Sequence, residues 1–139
     1  PDRNNPNPMD KLYKGDSTDL YLDGLNNGMK WSGDDDLQIV MAPGTNGNGL
    51  RVREFFHTAS TTSAILLRGS STRTGYKGVV ILRRAPLGLT GTRIGFSPAA
   101  HDTNDGSGLV PRDARYAWHF AEPGITLGTL ILEEPACHR

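Results

Sequence analysis

The chain has little of what staples, spans or catalyses. One cysteine among 139 residues, Cys137, excludes an intrachain disulfide, so stability has to come from packing, backbone pairing or assembly. No apolar run approaches the roughly 18 residues of a membrane-spanning helix, and no charged-then-apolar leader opens the chain. These absences point to a protein made in a reducing cytoplasm and not inserted in a membrane. The four histidines, His57, His101, His119 and His138, show no HxH or HExxH spacing, and the glycine-rich pieces GTNGNG and GDST do not match a phosphate loop. No catalytic motif stands out, and neither a cofactor nor a metal is expected.

What is present is punctuation. Gly 17 and Pro 9 interrupt the chain at short intervals and leave no window for a long helix, so many short strands are expected. Ser63 to Arg84 is the centre of that pattern. Two apolar runs, Ala64 to Leu67 and Val79 to Leu82, flank a polar connection carrying Arg73 and Lys77, which reads as a pair of strands. Each run is apolar at consecutive positions, which implies burial on both faces. Further strands are expected at Asp19 to Asp23, with Leu20 and Leu22 inward and Tyr21 outward, and at Met29 to Ser32, after a hairpin turn at Asn26-Asn27-Gly28. Others follow at Leu37 to Ala42, Leu50 to Phe56, Arg93 to Phe96, Ala114 to Ala121 and Ile125 to Glu134, with a polar surface loop over Ser97 to Arg112. Pro1 to Pro8 (PDRNNPNP) has almost nothing to bury and reads as extended. The fold class is therefore all-β: a jelly roll or two-sheet β-sandwich with an extended N-terminal arm over residues 1–14 and a single domain over 15–139, with a closed barrel as the next choice.

Formal charge is zero but segregated. Residues 1–50 hold four basic and eight acidic side chains, residues 51–93 hold eight basic against Glu54 alone, and residues 94–139 hold three basic and six acidic. Either folding interleaves these charges, or a basic face meets an acidic partner, a second copy or a phosphate backbone.

Several local groupings have a chemical reading beside a plainer one. Asp34-Asp35-Asp36 could offer oxygen ligands to a hard cation, but consecutive strand residues point to opposite faces, which favours a solvated turn. His101 to Gly106 (HDTNDG) lacks the alternation and distal Glu of a calcium loop. Glu54 and His57 could act as the proton-transfer pair of a small ribonuclease. Trp31, Tyr116 and Trp118 could form a sugar platform, although Tyr116, Trp118 and Phe120 share one strand face and suit core packing. Leu109-Val110-Pro111-Arg112 resembles a thrombin site in an exposed loop.

Doubly apolar strands, an arm and segregated charge together describe a subunit of an assembly. In being compact, cysteine-poor, Gly/Asn/Thr-rich and armed at one end, the chain resembles the small β-rich cement or decoration proteins of tailed-phage capsids, over its whole length and without a signature motif. That resemblance implies a non-enzymatic virion structural protein, made in the host cytoplasm and placed on the capsid surface as a homo-oligomer. Its partners would be the major capsid protein or other shell subunits, with no membrane and no direct nucleic acid. Contacts would come from Arg51, Arg53, Arg68, Arg73, Lys77, Arg83 and Arg84, with Tyr116 and Trp118 as packing anchors. The alternative is a carbohydrate-binding or receptor-binding β-sandwich module, tail-fibre-like, using Trp31 or Tyr116.

Overall fold

The computed structural model describes residues 5–28, 35–44, 49–55, 64–102, 114–117 and 127–132. Its described strands form two antiparallel sheets. The larger contains β1 (Ser17–Asp23), β2 (Asp36–Pro43), β3 (Leu50–Phe55), β6 (Arg93–Asp102), β7 (Ala114–Ala117) and β8 (Gly128–Ile131), in the order β3-β2-β1-β6-β7 with β8 also pairing β6. The smaller is the hairpin of β4 (Ile65–Ser71) and β5 (Tyr76–Leu82). The all-β sandwich read from the sequence is the fold found.

Strand alternation dictates where the core sits. On β1, Leu20 and Leu22 face the hairpin, and register carries that face across Ile39 and Leu37 on β2 and Pro98 and Phe96 on β6. There they meet Ala64, Ile65, Leu67, Val80 and Leu82 from the hairpin side, closed by Leu87 and Leu89. Each such aliphatic side chain contributes about 1.5–3 kcal/mol when fully buried. Gly69 and Gly78 lie directly opposite each other in the hairpin, and a Cβ on either would meet Leu50 Cδ1 of β3. Bare backbone at that point lets β3 approach the hairpin, so these glycines join the two sheets.

Pro98 sits in the middle of a ten-residue strand, which normally excludes proline. Register removes the conflict. β8 pairs with Arg93 to Phe96 and β7 with Ala99 to Asp102, so Pro98 falls in the gap where the neighbour changes.

The N-terminal segment is tied to its own chain. Asn5 donates through Nδ2 to the carbonyls of Leu12 (2.9 Å) and Asp16 (3.0 Å), while its Oδ1 accepts from the backbone and side chain of Asn7. Arg51 on β3 then donates to the carbonyls of Asn7 and Asn5. Beyond this knot a 3-10 turn, Met9–Lys14, lays Leu12 against Val40 and Ala42 of β2. That cover, with the hairpin on the other side, explains why β2 is buried at all eight positions. Pro1 to Asn4 lie outside the described residues.

Several strand expectations need correction. Tyr21, expected to face solvent, is buried, because the sheet face away from the hairpin is itself covered. The strand expected to stop at Phe96 continues to Asp102, since Ser97 and His101 alternate into a polar interior and look like a surface loop only when polarity is equated with exposure. The hairpin runs are buried on one face alone: Leu66, Val79 and Ile81 point outward at 47%, 64% and 50% exposure. Met29 to Ser32, and the parts of the last two expected strands beyond Ala117 and Leu132, lie outside the described residues.

Candidate functional site

The face of the larger sheet away from the hairpin is built from β1's odd positions, Ser17, Asp19, Tyr21 and Asp23, with Gln38 of β2 and Ser97 and His101 of β6. All seven are buried. At the centre, Asp19 Oδ2 accepts from Gln38 Nε2 (2.7 Å) and Tyr21 OH (3.1 Å) and lies 3.0 Å from His101 Nε2, while Oδ1 lies 3.3 Å from Ser17 Oγ. Gln38 Nε2 also reaches Tyr21 OH at 3.2 Å. A carboxylate with no exposure, gathering donors from three adjacent strands, fixes their mutual register and carries no open position for a ligand. It reads as structural.

The end of the same face gathers acid. Asp23 and Asp36 are directly opposed across β1 and β2, and with Asp35 they place one carboxylate oxygen each within 4.8 Å of one another. Among the described residues this is the grouping that could hold a hard cation, and of the expected triplet it uses Asp35 and Asp36; Asp34 lies outside the description. The third carboxylate comes from a neighbouring strand, which consecutive-residue reasoning could not supply. Two of these groups already have backbone partners: Asp23 accepts from the N–H groups of Asn27 and Gly28, and Asp35 Oδ2 from that of Leu25. They cap the turn over 24–28, where Asn26 and Gly28 take positive φ.

A row of register positions on the hairpin side of the larger sheet runs from buried Met41 to exposed Ala100. Register sets Met41, Thr18, Ala100 and Tyr116 in one row across β2, β1, β6 and β7. Tyr76, at the start of β5, closes over Thr18, its OH 3.1 Å from Thr18 Oγ1. One position further along the row Ala100 is exposed, so the hairpin's cover ends there and Tyr116 occupies the next register position.

The basic residues expected to make one contact surface are divided. Arg51 is spent on the N-terminal carbonyls, and burial lowers its guanidinium pKa from the ordinary value. Arg84 donates to the carbonyls of Leu89 and Gly91 beside its own strand end. Arg53 is exposed on β3, whereas Arg68, Arg73, Lys77 and Arg83 are exposed on the hairpin. Trp31, Trp118, His57, the 103–106 part of the HDTNDG stretch and the thrombin-like run lie outside the described residues. Sequence reasoning missed Asp19, Gln38 and the pairing with His101; the polar alternation Ser17, Asp19, Tyr21, Asp23 was the available signal, and it looks the same for a solvated face.

No family model matches the chain, and no curated protein matches it. Among solved structures it is similar to a carbohydrate-binding module of family 9 from Caldicellulosiruptor kristjanssonii, solved in complex with cellotriose, at 16% identity and a TM-score of 0.65. The likeness covers 99% of this chain and 66% of that one, so this chain spans slightly less than two thirds of its neighbour. At that identity the likeness establishes the fold. It overturns the expectation of a capsid cement subunit, which rested on composition and strand pattern: those features belong equally to a β-sandwich of the carbohydrate-binding kind, and none of the comparisons points to a virion protein.

Proposed function

We propose that this chain is a non-catalytic carbohydrate-binding β-sandwich that holds an oligosaccharide along the strip from Thr18 and Tyr76 past exposed Ala100 to the register position of Tyr116. The observation that carries the reading is the shared fold, along 99% of the chain, with a module bound to cellotriose. The strip supports it chemically. Pyranose rings present an apolar C–H face and a rim of hydroxyls, so they bind where an aromatic ring adjoins hydroxyl or amide groups. Tyr116 occupies the register position beside exposed Ala100, and the Thr18 and Tyr76 hydroxyls lie along the same row.

Calorimetric titration of the purified chain with cellotriose and a panel of neutral oligosaccharides tests this. Saturable binding is expected, weakened about tenfold, or ~1.4 kcal/mol, in Tyr116→Ala. A panel without a binder, or binding indifferent to Tyr116→Ala, would sink the reading.

A further inference from the structure

The outward face of the β4–β5 hairpin carries an unexplained combination. Leu66 lies directly opposite Ile81, with Val79 two residues away on the same side, and all three are exposed. Around them stand Arg68, opposite Val79, Lys77, opposite Ser70, and Arg83 just past the end of β5. No acidic residue occurs between Glu54 and Asp102. Among the residues whose side chains are described, nine exposed Lys and Arg stand against a single exposed carboxylate, Asp10, because Asp16, Asp19, Asp23 and Asp36 are all buried.

Backbone pairing narrows the occupant. Among the described residues the hairpin is a two-stranded sheet, β3 packs beside β4, and β5 forms an outer edge of seven residues. Unpaired edge N–H and C=O groups cost several kcal/mol each in hydrocarbon, roughly, which disfavours insertion of this ribbon into a bilayer. Face-to-face pairing with a second copy is disfavoured by charge, since it would set Arg68, Lys77 and Arg83 against their own counterparts. A polypeptide strand, by contrast, satisfies the edge while laying alternate side chains over the face.

We propose that the β5 edge and the Leu66–Val79–Ile81 face form a docking surface for an extended acidic polypeptide segment, added as a third strand with apolar side chains on the aliphatic patch and carboxylates on Arg68, Lys77 and Arg83. This surface is separate from the glycan strip and does not depend on that reading.

The probes are a twelve-residue peptide alternating Glu and Val, its Lys and Val counterpart, and vesicles of phosphatidylglycerol, each titrated against the full chain with hydrogen exchange followed at the Lys77 to Ile81 amides. The Glu-Val peptide is expected to bind about tenfold or more tightly than the Lys-Val peptide, to slow exchange along β5, and to weaken as salt rises. Val79→Lys with Ile81→Lys, and separately Arg68→Glu with Lys77→Glu, should abolish that binding and leave cellotriose binding as in the parent. Equal binding of both peptides, vesicle binding without peptide binding, or self-association abolished by the Val79/Ile81 pair would overturn the proposal.

Discussion

The two outer faces of this sandwich are inverted. Behind the larger sheet, Asp19, Gln38, Tyr21 and His101 are polar and buried; outside the hairpin, Leu66, Val79 and Ile81 are apolar and exposed. The difference lies in what covers each. The larger sheet has the N-terminal segment laid over it, with Leu12 on Val40 and Ala42, and Leu127 against Tyr21 and Ala99. A polar group under such cover must find internal partners, and Asp19 supplies them for three strands. Among the described residues nothing covers the outer face of the hairpin, and Leu66, Val79 and Ile81 are exposed there, where no partner is demanded and any stabilisation waits on an added surface.

The largest effect should come from breaking the buried polar face. Asp19→Ala strands the Gln38 amide, the Tyr21 hydroxyl and the His101 ring without their shared acceptor, and should cost about 3 kcal/mol in urea unfolding. A loss under ~0.5 kcal/mol would mean water already serves that face. Releasing the cover should cost less: Asn5→Ala removes the centre of the N-terminal knot and is expected to lower stability by about 1–2 kcal/mol while exposing the Val40 and Ala42 amides to faster hydrogen exchange. Unchanged exchange there would show that the sheet is covered independently of Asn5. The smallest effect belongs to the hairpin, where Val79→Thr should stay within about 0.5 kcal/mol, as surface substitutions do; a loss above ~1 kcal/mol would mean the face is already packed in solution.

The same inversion explains how much could be read from the residues. Where hydrophobicity and burial coincide, as in Leu22 on β1 or in Leu37 to Ala42, apolar except for Gln38, strand and core were both legible. Reading failed where hydrophobicity and burial part company. Tyr21 was placed outside because it alternates with Leu20 and Leu22, His101 because its stretch is polar, and Val79 and Ile81 inside because theirs is apolar. The binding strip was half legible: Tyr116 is conspicuous as an aromatic residue, but its place beside Ala100 and Thr18 depends on pairings across more than eighty residues of chain, which no local pattern encodes. The acidic grouping failed for the same reason, since Asp23 joins Asp35 and Asp36 through the β1–β2 register.

Carbohydrate binding is tested most directly by titrating cellotriose into the parent chain and into Tyr116→Ala side by side. The account predicts saturable binding to the parent and about tenfold weaker binding to the variant, with unfolding unchanged. Equal binding by both, or no binding to cellotriose or any other glycan in the panel, would contradict it.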